Sequence, residues 1–239
     1  MDLMSEVPDV LQAIAEDGYR FGNCSILPYQ PGQPDVFGHH LIPRLYDMCV
    51  ESSILKPLYC GMITLTEDAI CSYLATRPII PMFVYEPDAE ISHDQIPDGR
   101  TIAGFAFMTA FAGPPVMDIG PQMAGDRSGL AGYGFFRRWW GSNEIKVCIM
   151  LVLAYLFNRY RLVTLHGQTY SDNPLSLRFM EQFGFKRTGL LEKFLARRKA
   201  DGGIELVDCQ LTSLRREDLV AYVEKQFISL VDLNLESNP

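Results

Sequence analysis

Apolar residues along the chain repeat at two different spacings, and the switches between them divide it into elements. Val7–Ala15 has helical spacing, and Gly22–Pro28 then reads as a first strand closed by the Pro- and Gly-rich run Tyr29–Asp35. In Leu41–Ser52 the positions Leu45, Met48 and Cys49 again predict a helix, and Thr66–Leu74 predicts another with Thr66 as its N-cap. Ile79–Tyr85 and Thr101–Phe111 are strands by their β-branched and aromatic content, joined by an acidic, Pro-containing surface connection, Glu86–Gly99. Gly113–Gly129 is rich in Gly, Pro and Met, and its short apolar piece Val116–Ile119 fits neither period. Leu130–Arg138, dense in Gly and aromatics, is expected to be a strand.

The carboxy-terminal half is more sharply punctuated. The apolar run within Ser142–Phe157 is too long for a strand, and its opening Ser or Asn can cap exposed amides, which predicts a helix. Arg161–His166 is expected to be a buried strand. Pro174–Gln182 reads as a short helix capped by Asp172 or Asn173, with Pro174 where a missing amide is harmless and Gly184 as the stop. Strands Phe185–Ala196 and Ile204–Leu211 flank the turn Ala200–Gly203, and a last helix, Arg216–Leu230, is amphipathic through Leu219, Val220, Val223 and Phe227. This order predicts one α/β domain over residues 1–239. Its core, about 22–214, is a mixed, mostly antiparallel sheet of about seven strands with helices on both faces, and terminal helices 7–15 and 216–230 are appended.

Composition narrows the function. A formal charge of −8 argues against a chain that grips phosphate backbones, although Arg137 with Arg138, or Arg197, Arg198 and Lys199, could form local basic patches. The six cysteines show no C-x-x-C pair and no ligand spacing with histidine, so neither a metal site nor a disulfide framework is expected, and a reducing, cytoplasmic compartment fits. Asp2, Glu6 and Asp9 in Met1–Arg20 do not make a secretory signal. Ile145–Phe157 is interrupted by Lys146 and falls short of the roughly 20 residues a bilayer crossing needs, so it is expected to be a buried helix and no membrane association is expected.

From Asn173, Pro174, Leu175 and Ser176 to Phe183, Gly184 and Phe185, the chain resembles the carboxy-terminal signature of the GNAT-type N-acetyltransferase superfamily, in which an Asn opens a short helix ending in Gly-Phe. Thr188-Gly189-Leu190 and the strand ending Val207-Asp208-Cys209-Gln210-Leu211 also resemble it. The element order matches over about Gly22–Leu214, while the match in sequence is confined to the last third. The family's cofactor loop is Gln or Arg, two residues, Gly, one residue, Gly or Ala, set about thirty residues before the Asn; Arg138-Trp139-Trp140-Gly141-Ser142-Asn143 stands at that distance. A strand-to-helix turn of this kind gathers amide hydrogens and the positive end of a helix at one point, suited to a diphosphate, and Gly141 would admit it without a Cβ in the way. Asn143 replaces the second small residue, and Glu144 adds a negative charge.

The resemblance implies acetyl-CoA as acyl donor, no metal, and direct attack of a primary amine on the thioester in a ternary complex. It points to the amides of Phe136 and Arg137 for polarising the carbonyl, and to Phe136–Asn143 with Asn173 and Ser176 for holding the cofactor. The thiolate acid in many members is a Tyr near the end of the helix after the Asn, a position occupied here by Met180. Ser176, four residues earlier on the same face, and Tyr170 are the substitutes. Ser176 could equally bond a backbone carbonyl. His166 and Asp172 are candidate bases, with a hydrogen-bonded core residue and a helix cap as their respective alternatives. His39 and His40 could line an acceptor pocket, and His93 is expected in solvent. The acceptor would be an amine-bearing small molecule, a cationic one suiting the acidic chain, or a protein or peptide. Met180, Asn143 and Glu144 motivate an alternative, a GNAT-fold binding or scaffold protein without catalysis. Tyr133–Trp140 and the last helix could each supply a homodimer face or simply core.

Overall fold

The computed structural model describes residues 10–16, 18–27, 79–85, 100–111, 128–199 and 201–236. The predicted helices Leu41–Ser52 and Thr66–Leu74, the connection Glu86–Gly99, the piece Val116–Ile119 and His39, His40 and His93 lie outside them.

Helix α1 (Val10–Glu16) precedes a tiny hairpin of β1 (Arg20–Phe21) and β2 (Cys24–Ile26). This corrects the single strand expected over Gly22–Pro28: Gly22 has φ 56°, so the chain turns there, the strand is confined to Cys24–Ile26, and a further short strand precedes the turn. Strands β3 (Ile79–Tyr85), β4 (Arg100–Phe111) and β5 (Ser128–Phe135) follow, then a 3₁₀ turn at Arg137–Trp139 and helix α2 (Asn143–Arg159). Strand β6 (Thr164–Tyr170), helix α3 (Pro174–Gln182), strands β7 (Lys186–Arg198) and β8 (Ile204–Arg215), and helix α4 (Arg216–Glu236) complete the described chain.

The eight strands form one sheet in the order β1-β2-β3-β4-β5-β6-β8-β7, one more than expected because of the hairpin. Neighbouring strands run antiparallel except β5 and β6, which are parallel. Several strands shift relative to their expected bounds, and β8 runs past the expected Leu211 to Arg215. The strand predicted over Leu130–Arg138 ends at Phe135, because the Phe136 carbonyl is taken by the Trp139 amide at 3.0 Å and the chain coils into the 3₁₀ turn. The one predicted over Arg161–His166 starts at Thr164: Arg161 has φ 51° and the Leu162 amide closes α2 on the Phe157 carbonyl, 3.1 Å. It then runs to Tyr170 because β8 stays in register beside it, from Thr164↔Arg215 to Tyr170↔Cys209.

Ile80–Val84 and Thr101–Ala106 are buried at every position, so both faces of the sheet's centre are covered. Helix α2 is buried without interruption from Cys148 to Phe157, as a helix apolar all round must be. Its side chains form one core with Leu11 and Ile14 of α1, Met180 of α3, Phe183, and Leu219 and Val223 of α4. Cutting back a leucine there costs about 2–5 kcal/mol, most of it for the cavity left behind.

Candidate active site

The parallel pair is joined only at its start. Ser128, Gly129 and Leu130 of β5 face Thr164, Leu165 and His166 of β6, and the pairing stops there. Beyond it Phe135, Gly134, Tyr133, Gly132 and Ala131 stay bound to β4, while Gly167–Tyr170 stay bound to β8. The two strands therefore part, and the gap is a cleft of about 440 Å³ whose walls are these residues, with Trp140 and Gly141 at one end and α3 along its side. Backbone amides along a parted strand edge have no ladder partner there, which leaves them available to an extended polar ligand.

At the mouth the turn into α2 sorts its amides into two sets. Trp139 donates to the Phe136 carbonyl, Trp140 to Arg137 and Ser142 to Trp139, all at 3.0–3.1 Å, and the Ser142 hydroxyl caps the helix by accepting from the Ile145 amide at 3.2 Å. The amides of Gly141, Asn143 and Glu144 make no hydrogen bond among the described residues. Gly141 has φ 78°, and a Cβ placed on it would meet nothing within 4 Å. Three donors without a partner among the described residues thus stand at the start of a 17-residue helix, beside open space, where the helix end favours negative charge. Lys146, one turn into α2, also lines the cleft and donates to Asn143 Oδ1 at 3.4 Å. Neither tryptophan blocks the site. Trp139 is 8% exposed with its indole in the core, and Trp140 is 40% exposed, its Nε1 donating to the Phe135 carbonyl at 3.1 Å.

The far wall is built by α3. Asn173, rather than Asp172, caps the helix by accepting from the Ser176 amide at 3.2 Å, and Pro174 occupies its first position. Ser176 Oγ shares hydrogen bonds with Tyr133 Oη across the cleft, 3.3 Å, and with Thr169 Oγ1, 3.4 Å. Tyr133 stacks on Phe135 and both rings contact Phe179. Burial pushes the Tyr133 phenol up to about 12, and its hydrogen bond to Ser176 lowers it by a smaller amount, so the phenol is neutral at working pH. Met180 is 5% exposed, with the hydroxyls of Thr169 and Thr212 at 3.7 and 3.8 Å from its sulfur.

The other expected site residues are scattered around this arrangement. Phe136 has its amide engaged with Ala103 and, with Arg137, follows the strand instead of ending it, so the cleft-edge amides are those of β5 itself. Arg137 and Arg138 are exposed, the Arg138 guanidinium lying 5.1 Å from the Trp139 ring centre. Tyr170 borders the cleft, but its hydroxyl donates to the Ala196 carbonyl at 3.0 Å. Asp172 is exposed in the turn before α3. His166 lies mid-strand, bordering a separate cavity of about 30 Å³ with Leu165 and Phe185. Sequence reading passed over Tyr133, Thr169 and Lys146. The signal for Tyr133 was strand alternation, which places it on one face with Phe135.

This mixed sheet, parted between β5 and β6 with a helix N-terminus at the mouth of the gap, has the fold of solved GNAT-family acetyltransferases. The chain resembles the GNAT-family acetyltransferase of Bacillus anthracis at 15% identity, TM-score 0.54, over 83% of this chain and 98% of that one. It also resembles the ribosomal-protein-S5-alanine acetyltransferase of Vibrio fischeri at 12% identity, TM-score 0.54, over 84% and 97%. A spermidine N-acetyltransferase chimera from Vibrio cholerae and hSSAT gives 10% identity, TM-score 0.54, over 83% and 99%. No family model matches the sequence, and no curated protein matches it.

Proposed function

We propose that this chain transfers an acetyl group from acetyl-coenzyme A to an amine. The observation that carries the reading is the set of Gly141, Asn143 and Glu144 amides, without partners among the described residues, at the mouth of a cleft between parted strands. The residues present fit the cofactor. Gly141–Glu144 would hold its diphosphate and Lys146 would add positive charge. The edges of β5 and β6 would hold its amide-bearing arm, and Phe135 and Phe179 would give that arm apolar contact. When bound, the cofactor supplies an activated thioester. The chain's own part is to align an amine with it, to exclude water, and to offer a strand-edge amide to the carbonyl oxygen.

An amine-bearing small molecule or a protein amino group is the acceptor, as with the structural neighbours that act on spermidine and on the alanine of a ribosomal protein. The buried, tethered Met180 favours a second reading, in which the cleft binds the cofactor without turnover.

Calorimetric titration with acetyl-coenzyme A tests the proposal. Binding is expected in the wild type and is expected to be lost in Gly141→Trp, whose indole would fill the open space beside the amides. Gly141→Asn, which tolerates a positive φ, controls for the backbone and is expected to fold with near-native stability. No heat at about 1 mM ligand, meaning less than about 4 kcal/mol of binding, overturns the reading. Binding without product over a panel of amines would support the silent cleft instead.

A further inference from the structure

We propose, resting on the acetyl-transfer reading, that Tyr133 is the catalytic hydrogen-bond donor to the sulfur that departs from the thioester, acting from strand β5 across the cleft to α3. Three hydroxyls meet there, those of Tyr133, Ser176 and Thr169, in a chain of contacts at 3.3 and 3.4 Å. In the chain Tyr133–Ser176 either oxygen can donate. Ser176 can therefore donate to the phenol oxygen, which leaves the phenol's own proton for another acceptor. Tyr170, the other phenol on the cleft wall, differs: its hydroxyl already donates to the Ala196 carbonyl at 3.0 Å. Met180, one turn beyond Ser176 on α3, has no proton to offer, and two threonine hydroxyls contact its sulfur.

Magnitude decides between two roles for the phenol. A thiol ionises near about 8.5 and the Tyr133 phenol at about 12, so full proton transfer to the departing thiolate runs uphill by more than three powers of ten. Tyr133 therefore keeps its proton and stabilises the developing charge as a donor, in the manner of an oxyanion-hole group. The step balances without it: the amine nitrogen forms the C–N bond, the C–S bond breaks, and its electron pair stays on sulfur. The nitrogen then loses one proton to solvent, and the thiolate takes one from solvent.

The test compares wild type, Tyr133→Phe, and a protein carrying 3,5-difluorotyrosine at position 133, whose phenol ionises at lower pH. Calorimetry with acetyl-coenzyme A and thiol release with an amine acceptor are measured on each, with difference absorption to titrate the phenol. Tyr133→Phe is expected to bind acetyl-coenzyme A within about threefold of wild type and to lose about 100-fold in kcat, the range for removal of one preorganised donor. The fluorinated protein is expected to lose turnover on the alkaline side in step with its phenolate absorbance, whereas the wild type holds its rate to about pH 10, where its phenol remains protonated. A packing role for the ring would give neither the split between binding and turnover nor that alkaline limb. Turnover within about threefold of wild type in Tyr133→Phe overturns the assignment and leaves acetyl transfer standing. A wild type that neither binds acetyl-coenzyme A nor releases thiol overturns both.

Discussion

Gly104 lies where β4 runs beside the end of β5, and the structure sets the consequence of giving it a side chain. It pairs with Phe135, its neighbour Phe105 pairs with Gly134, and the Ala103 carbonyl holds the Phe136 amide. A Cβ on Gly104 would drive into the Gly134 carbonyl oxygen and lie 2.9 Å from Phe135 Cδ1 and 3.0 Å from Phe135 Cα. Two of those three atoms are backbone, so no rotamer change relieves the contact and β5 must lift away from β4. Overpacking of this kind costs about 1–3 kcal/mol, and loss of the Phe136–Ala103 bond adds about 1. The stiffer unfolded chain returns a few tenths to 1 kcal/mol, leaving Gly104→Ala about 2–3 kcal/mol less stable than wild type. Gly167→Ala is the comparison. There the added Cβ would meet the Met180 methyl and Thr212 Oγ1, the latter at 2.7 Å, both at the ends of side chains. The methyl can swing aside, so about 1 kcal/mol is expected. Urea denaturation of the two variants reads the difference directly. If Gly104→Ala proves no less stable than Gly167→Ala, the account of β5 as a wall pinned by its backbone fails.

Two further outcomes follow from the caps and the buried phenol. Asn173→Ala and Ser142→Ala each remove an oxygen that accepts a helix amide, at 3.2 Å in both cases, and each should lower stability by about 1 kcal/mol while Asn173→Asp retains it; equal losses for Ala and Asp in urea titrations would refute the capping role. Tyr133 has its folded value raised to about 12 from 10.0, so its contribution is complete below about pH 10 and is lost as pH climbs toward 12, by about 2–3 kcal/mol in total. Denaturation between about pH 9 and 11 should show a shallower alkaline decline in Tyr133→Phe than in wild type, with a residue of slope left by Tyr19 and Tyr222, which burial also raises.

What could be read from sequence was what local chemistry dictates. Pro174–Gln182 and Ile79–Tyr85 emerged with the bounds expected, since a capping Asn before Pro, a terminal Gly and a β-branched run each act within a few residues. The ends of β5 and β6 were displaced for different reasons: the 3₁₀ turn takes the Phe136 carbonyl and stops β5, and β8, far along the chain, extends β6 to Tyr170. The turn at Arg138–Asn143 was placed by a motif, but which amides stay free there followed only from the 3₁₀ coil and the Ser142 cap. Tyr133 could not be singled out among the aromatics of its strand, because its meaning comes from Ser176, forty-three residues away in sequence.

Met180 and Gly167 are best understood together. Gly167 leaves a gap in the face of β6, and the Met180 methyl occupies it so closely that any Cβ on residue 167 would overlap it. The hydroxyls of Thr169 and Thr212 lie on the thioether, and Thr212 also donates to the Gly167 carbonyl at 3.3 Å. Met180 thus borders both the main cleft and the small cavity behind it, as a plug between them. A flexible, polarisable side chain suits an irregular gap of that kind, whereas a rigid ring would have to displace β6 or leave the gap empty. With an apolar plug at this turn of α3, the polar groups of the cleft gather one turn earlier at Ser176 and across the gap at Tyr133. The phenol that faces the cleft with a hydroxyl free to change partners is therefore carried by the strand, held in place by Phe135 and Phe179.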